Sequence, residues 1–287
     1  MRRALLPVLA FVLFVAGCTL APKYEPPTAP VPDAWPQGGA YGGPNRQAHH
    51  PFPHELEWRE FFTDERLCRV IETALANNRD LRLAALNVEM ARAMYGIQRA
   101  SLFPALDAVG SGSKERVPAD LSQTRQRMTT ERYAVDLGIL SWEVDFFGRI
   151  RSLKDQALEE YLASEEGRRG ARLLLIAEVA NAYFTLATDR ESLQLTLSTL
   201  EAQQASYDMI RRRYETGLAS ELELRQAQTR VDVARRNAAI YTRLAAQSEN
   251  ALNLLAGVPV PKELLPENLS CVMPPREVFT GLSSAVL

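Results

Sequence analysis

Apolar residues recur at seven-residue intervals along the segment that begins near residue 61. A repeat of this kind is typical of a long amphipathic helix that packs along one stripe, as in a coiled coil. Asp64 is suited to cap the start of such a helix and Pro104 to end it, so we predict one long helix over residues 61–104. The main row is Leu67, Ala74, Leu81, Val88, Tyr95 and Leu102, with a weaker row at Val70, Ala84 and Ala91.

The pattern changes after Pro104. Residues 105–114 are small and rich in glycine and serine, and residues 115–130 are polar and charged. From Arg132 onward apolar and polar residues alternate over about ten positions, which is the length and pattern of a membrane β-strand with one apolar face. A half-buried strand of a soluble sheet has the same pattern, but no further strands follow to complete such a sheet, so we assign residues 105–142 to a membrane β-hairpin. The apolar positions are Tyr133, Val135, Leu137 and Ile139.

Two long helices are predicted within residues 143–257. No proline interrupts residues 119–258, and residues 149–214 can form one helix of roughly 100 Å at about 1.5 Å per residue. Gly167 and Gly170 are positions at which this helix can kink or divide. Helices of this length do not fit a compact core, so they must pack side by side as a tube or rod. The seam of the first helix is Val179, Leu186, Leu193, Leu200, Tyr207 and Tyr214, and that of the second is Leu224/Ala227, Val231/Ala234, Ala238/Tyr241, Ala245/Ser248 and Leu252/Leu255.

The turn between the two long helices lies near residues 213–223. Gly217 suits the left-handed position that closes a helix. Ser220 and Glu223 have the spacing of a capping box, which starts the next helix. We therefore predict a sharp helical hairpin with its tip at this point.

A run of aromatic and charged residues separates the predicted strand from the first long helix. Asp145 is placed to cap the helix, and Gly148 allows the backbone to change direction. An acid/base pair of Glu143 and Asp145 is the alternative, but caps and polar anchors explain these acids more simply at a strand-to-helix joint. Arg149 follows without an evident role, as does Arg151. The residues assigned to the joint are Trp142, Asp145, Phe146, Phe147 and Gly148.

The N-terminus has the pattern of a secretory signal over residues 1–17, with two arginines and a short apolar run. The four residues that end at Cys18 resemble a bacterial lipobox, so we expect cleavage before Cys18 and covalent attachment of lipid to it; a plain signal with an incidental cysteine is the alternative. Residues 18–60 are rich in proline and glycine and are predicted to be an extended, lipidated tether. Its histidines, His49, His50 and His54, fit a solvated linker better than a metal site.

Composition narrows the classes of function. The 287 residues carry a formal charge of −2, which gives no reason to expect a nucleic-acid partner. The cysteines Cys18, Cys68 and Cys271 are far apart and have no metal-ligand spacing. We find no catalytic arrangement, no phosphate loop and no metal cluster, so we predict a protein that is not an enzyme and needs no cofactor beyond the lipid on Cys18.

These patterns together resemble one family, the outer-membrane efflux factors of the TolC type, in the lipoprotein branch that serves tripartite efflux pumps. The resemblance covers almost the whole chain in the right order. The motifs that carry it are the lipobox at Cys18, the segments Trp58–Phe62, Ala74–Leu81 and Leu102–Pro104, the joint Ser141–Arg149, and Gly217, Leu218 and Ser220 with Gln226 and Ala227.

The resemblance implies an architecture and a set of partners. The fold is expected to be mainly α with a membrane β-hairpin, its long coiled-coil helices forming part of a trans-periplasmic α-barrel topped by a β-barrel. In the family three chains form a 12-stranded β-barrel in the outer membrane, continued by an α-helical tunnel in the periplasm. Small molecules are exported passively through this tunnel and barrel, and an inner-membrane pump supplies the energy. The helical tip meets a periplasmic adaptor protein; here that tip is Arg213, Gly217, Leu218, Ala219 and Ser220.

The sequence departs from the family pattern in one respect. The family has two tandem repeats, whereas residues 258–287 read as a proline-rich connector and we find no second helix–hairpin–helix pattern. Three copies would then supply six strands, so the expectation is either a shortened chain or a different copy number, of which six would restore twelve strands. A periplasmic coiled-coil lipoprotein without a pore, and a non-functional remnant, are the other hypotheses.

Overall fold

The computed structural model describes residues 25, 27, 57–122, 125–139 and 141–276. The predicted signal segment, Cys18, the three histidines and nearly all of the predicted tether lie outside the described residues, as does the end of the predicted connector from residue 277. These expectations therefore stay predictions.

The described chain is mainly helical and has a single pair of strands, as predicted. Two features were not expected: a short helix that begins inside the predicted tether and ends at residue 61, and two 3-10 turns inside the predicted connector. In chain order the elements are α1 (Trp58–Phe61), α2 (Glu65–Asn77), α3 (Arg79–Ala100), β1 (Asp107–Val117), β2 (Met128–Gly138), α4 (Arg149–Glu215), α5 (Glu221–Ala256) and 3-10 turns at Lys262–Leu264 and Leu269–Cys271.

The prediction of one helix over residues 61–104 is wrong at Asn78. Asp64 caps α2 as expected, its Oδ1 accepting from the backbone N–H groups of Arg66 at 2.8 Å and Leu67 at 3.1 Å. Asn78, however, has an extended backbone with ψ of 131° and separates α2 from α3. Its side-chain Oδ1 accepts from the N–H of Leu81 at 2.8 Å, so it caps the start of a second helix.

The same Asn78 side chain also holds the end of α5. Its Nδ2 donates to the carbonyl of Leu255 at 2.9 Å, and Leu255 is in the last turn of α5, where carbonyls lack a partner within the helix. Gly257 closes α5 in the left-handed conformation, with φ of 74°. A side chain there would collide with the backbone carbonyl of Asn77. One asparagine therefore serves two helix ends, and glycine lets them approach.

The chain divides into two compact units. The first includes residues 87–165, and the second includes residues 27–86 and 166–287. The hydrophobic core is in the second unit, where α2, α4, α5 and the residues after α5 contribute side chains. The heptad rows predicted from the sequence supply its centre. Fully buried members include Leu67, Ala74, Val179, Leu186 and Leu252.

Both long helices have the predicted bounds. Helix α4 is continuous through Gly167 and Gly170, and neither glycine has another group close to the position of a Cβ. The seam of α4 becomes less buried toward its end, and Tyr214 is 41% exposed. Along α5 all ten predicted seam positions are buried or half-buried. An 18-residue window of α4 is apolar enough for a membrane span by composition, but its buried side chains belong to this core.

The predicted connector is packed against the core over its described part. Val260 and Leu265 are buried, and the backbone then returns to the start of α2. The carbonyl of Cys271 accepts from Arg66 at 2.7 Å, and the N–H of Met273 donates to Asp64 Oδ2 at 3.3 Å. Asp64 thus both caps α2 and holds the connector.

Candidate membrane hairpin, strand–helix joint and helical tip

The two strands form an antiparallel hairpin whose register sorts its side chains into two faces. Residues paired directly across the strands point to the same side. On one face Ala108 pairs with Leu137, Gly110 with Val135 and Gly112 with Tyr133. The strands extend beyond the alternating pattern. β2 begins at Met128 and β1 continues to Val117, so both strands enter the polar and charged segment 115–130.

The first face is apolar and uncovered. Val135 is 85% exposed and Leu137 70% exposed, while the Tyr133 ring lies over Gly112. The opposite face is more polar and includes Ser111, Ser113 and Asp136, although Val109 and the last pair, Val117 with Met128, also lie on it. A sheet with one apolar face and one more polar face, both exposed, matches strands that face lipid on one side and an aqueous lumen on the other.

The joint between β2 and α4 is built by two acid–arginine pairs. Arg149 donates through its guanidinium to both carboxylate oxygens of Glu143. Arg151 donates through its backbone N–H to Asp145 Oδ2 at 2.9 Å and through its guanidinium to the Asp145 carbonyl at 3.2 Å. The two arginines, for which the sequence analysis found no role, therefore hold Glu143 and Asp145 of the preceding segment against the start of α4.

Asp145 caps α4 as predicted, but from a distance. The residue directly before the helix is Gly148, which is buried and has φ of 77°. This left-handed turn brings the carboxylate of Asp145 back to the N–H groups in the first turn of α4. The carboxylate accepts from the N–H of Arg151, which lies six residues later in the sequence. The aromatic residues of the joint point outward: Trp142 is 51%, Phe146 54% and Phe147 72% exposed.

The joint acids stay ionised near neutral pH. The hydrogen bond from Arg149 lowers the pKa of the Glu143 carboxyl below its ordinary value, and the same contact raises the pKa of Arg149. Burial raises the pKa of Asp145, but hydrogen bonds from the N–H groups of Arg151 and Ile150 and from the Arg151 guanidinium outweigh it, and the pKa is lowered. Asp145 therefore holds the backbone at the start of α4, Glu143 holds the Arg149 side chain, and both carboxylates stay deprotonated at neutral pH.

We expect the start of α4 to loosen as the pH falls below about 4. The pKa of Asp145 is below its ordinary value of 3.8 in the folded chain, so its contribution to stability is complete above that value and is lost as pH falls through the folded pKa. Hydrogen exchange at the Arg151 amide should become faster in acid. In Asp145→Asn this amide should exchange faster at neutral pH and lose its acid dependence.

Glu143→Gln is the matched control for this prediction. Glu143 contacts the Arg149 side chain, and the structure gives it no hydrogen bond from a backbone N–H of α4. Exchange at Arg151 should then keep its wild-type rate and pH profile. Equal effects of the two variants would show that Asp145 is not the cap.

The helical tip has the geometry that the sequence predicted. Gly217 has φ of 75°, and the N–H groups of Leu218 and Gly217 donate to the carbonyls of Arg213 at 2.7 Å and Tyr214 at 2.9 Å. This pair of bonds is a Schellman motif, which satisfies the last carbonyls of α4. The capping box of Ser220 and Glu223 is complete, and the hydrogen bonds from Ser220 lower the pKa of the Glu223 carboxyl.

The tip presents an apolar side chain beside basic ones. Leu218 is 71% exposed, and Leu222 in the next turn is 67% exposed. Arg213 and its neighbour Arg212 lie in the last turn of α4, where cations suit the negative end of the helix dipole. Ala219 and Ser220 complete the turn. The five predicted tip residues are therefore together at one end of the α4–α5 hairpin.

The described residues show no cluster suited to holding a metal ion. No group of three or more His, Cys, Asp or Glu side chains among them is placed to hold a metal ion. Burial raises the pKa of Tyr183 to about 12, which makes its hydroxyl a poor proton donor at neutral pH.

Asn78 is the helix break that the sequence analysis missed. The sequence did contain a signal for this break, because asparagine is among the preferred N-cap residues and is unfavourable in the interior of a helix. The seven-residue row continues across it, however, from Ala74 to Leu81. The periodicity alone therefore favoured a continuous helix.

Comparison with known proteins agrees with this geometry. The pattern of the outer membrane efflux protein family matches residues 70–258. The toluene efflux pump outer membrane protein TtgC of Pseudomonas putida is 45% identical over 287 residues, covering 100% of this chain and 59% of that protein. The solvent efflux pump outer membrane protein SrpC of Pseudomonas putida is 46% identical over 270 residues, or 93% of this chain and 56% of that protein.

The fold is similar to a solved outer-membrane channel. The open-state structure of the MtrE outer membrane channel of Neisseria gonorrhoeae aligns with a TM-score of 0.72, at 31% identity over 94% of this chain and 58% of that one. The chain belongs to the outer membrane efflux protein family. It spans about three fifths of the length of the curated relatives it matches.

Proposed function

We propose that this chain forms part of an outer-membrane conduit for passive export of small molecules. The observation that carries the proposal is the hairpin with one exposed apolar face and one polar face, joined through a capped turn to α4. In a bilayer every backbone polar group must be paired, so the two free edges of this hairpin require strands from an assembly. The family resemblance favours a homotrimer.

The conduit conducts and does no chemistry. Energy comes from an inner-membrane pump, which a periplasmic adaptor protein connects to the helical tip. The cargo belongs to the class of small organic molecules, as the names of the toluene and solvent efflux relatives suggest. Lipid on Cys18 anchors the chain to the outer membrane. No nucleic acid takes part.

Fractionation tests the proposal directly. A conduit should appear in the outer-membrane fraction as an oligomer that is resistant to detergent and dissociates on heating. A periplasmic coiled-coil lipoprotein without a pore would keep residues 133–139 outside the bilayer. A monomer in the soluble fraction, or a membrane-bound chain in which those residues stay accessible to aqueous reagents, would contradict the proposal.

Leu218→Ser should weaken docking of the tip to an adaptor protein. Leu218 is 71% exposed and its side chain is the apolar projection of the turn, so removing it takes away contact area without disturbing the Schellman backbone. Chemical cross-linking to the adaptor and resistance to exported compounds should both fall. The helical content should not change.

Leu195→Ser is the matched control for the tip variant. Leu195 is 69% exposed, nearly as much as Leu218, but lies within α4 away from the turn. Cross-linking should be unaffected by this change. If both variants behave alike, or if Leu218→Ser leaves cross-linking at the wild-type level, docking does not occur at this tip.

A further inference from the structure

The apolar face of the hairpin changes character beyond Tyr133. The next pairs on the same face are Lys114 with Glu131 and Arg116 with Thr129. Lys114 forms an ion pair with Glu131 across the strands. At about 3.3 Å per residue, Lys114 and Arg116 lie roughly 7 and 13 Å along β1 from Gly112, the residue under the Tyr133 ring. A face suited to lipid therefore ends in two cations, Lys114 and Arg116, and one anion, Glu131.

The charge at this end of the hairpin is not balanced within it. Residues 113–132 hold five cations and three anions, a net charge of +2. Within the described part of the chain, Arg116 is exposed and has no ion-pair partner. The cations are Lys114, Arg116, Arg125, Arg127 and Arg132, and the anions are Glu115, Asp120 and Glu131.

The order of side chains along this face matches a membrane boundary. Tyrosine is enriched where apolar lipid meets headgroups, and the long side chains of lysine and arginine extend toward charged headgroups from positions near that level. A guanidinium is also a good ligand for phosphate, because its planar set of N–H donors binds two oxygens at once. The hydroxyl of Thr129, paired with Arg116, adds a donor beside it.

We propose that Lys114 and Arg116 bind phosphate groups of anionic lipid headgroups at the membrane surface nearest the hairpin turn. This proposal rests on the proposed function, since it requires the hairpin to cross the membrane with its apolar face toward lipid. The ligand is a lipid phosphate, held at the boundary that Tyr133 marks. Arg132 pairs with Ser113 on the opposite face and takes no part.

The chain offers a closely matched control. Arg116→Gln and Arg132→Gln each remove one positive charge from the same end of the hairpin, the first from the lipid-facing side and the second from the other side. Both residues are exposed, so neither substitution disturbs packing. Non-specific attraction to a negative surface would respond to both changes equally.

The test uses the full chain in detergent, titrated with diphosphoryl or monophosphoryl lipid A and followed by native mass spectrometry. The wild-type chain should prefer the diphosphoryl lipid. Arg116→Gln should weaken its binding about fivefold, the effect of one cation near an anionic surface, and Lys114→Gln should weaken it in the same direction. Arg132→Gln should bind as the wild type does, and excess inorganic phosphate should not displace the lipid.

Two outcomes would overturn the inference. If Arg116→Gln and Arg132→Gln weaken lipid binding equally, the binding depends only on net charge. If inorganic phosphate displaces the lipid, the site binds free anions and not lipid headgroups. Insertion of the wild-type hairpin into phosphatidylcholine bilayers is measured alongside, by protection of residues 133–139 from aqueous reagents. Insertion without a preference for the diphosphoryl lipid overturns this inference alone, whereas lack of insertion overturns the proposed function with it.

Discussion

Val135→Arg is expected to abolish assembly in the outer membrane while leaving the helical fold intact. Val135 is 85% exposed in the chain and lies opposite Gly110 at the middle of the apolar face. An arginine at the bilayer midplane of a membrane strand costs about 2–4 kcal/mol. In a symmetric oligomer every copy carries this cost. The variant should therefore disappear from the outer-membrane fraction.

The neighbouring residue provides the control. Asp136 lies on the opposite face of β2, so Asp136→Arg places the same side chain one residue away on the polar side. This variant should assemble, and its conductance should change with the positive charge that it adds. Circular dichroism should give the same helical content for both variants. Normal assembly of Val135→Arg would mean that this face does not meet lipid.

Gly257→Ala is expected to cause the largest loss of stability among single-methyl changes at the helix ends. The left-handed backbone at φ of 74° costs a residue with a Cβ roughly 1–2 kcal/mol. In addition the new methyl group would collide with the Asn77 carbonyl, a backbone group that cannot rotate away. Overpacking of this kind adds about 1–3 kcal/mol. Chemical denaturation of the detergent-solubilised chain should show the combined loss.

Gly217→Ala separates the two contributions. Gly217 has nearly the same φ, 75°, but no group lies within 4 Å of the position of its Cβ. Only the backbone cost applies there, so the free energy of unfolding should fall by about 1–2 kcal/mol. If both alanine variants lose the same amount, the approach of α5 to the α2–α3 junction is looser than the structure has it.

The junction at Asn78 explains why part of the fold escapes sequence analysis. The seven-residue row runs through this position, and local preference could not decide between a helical and a capping asparagine. What decides is the carbonyl of Leu255, which is 177 residues away and accepts from the Asn78 side chain. A partner so distant in sequence leaves no local pattern.

The joint before α4 could also be predicted only in part. Its aromatic residues and the capping role of Asp145 follow from their types and positions, and Gly148 signals a change of direction. The pairing of Arg149 with Glu143 and of Arg151 with Asp145 does not follow, because it depends on the left-handed turn at Gly148 that folds the segment back on itself.

The sequence alone determined the long helices, the alternating strand and the tip between α4 and α5, because periodicity, the left-handed Gly217 and the Ser220–Glu223 capping box are all local. The tertiary structure decided the break at Asn78, the arginine clamps of the joint and the return of the connector to Asp64. Each of these is made by hydrogen bonds between segments whose approach is set by packing of the core, and hydrogen bonds of that kind are satisfied only once distant parts of the chain have met.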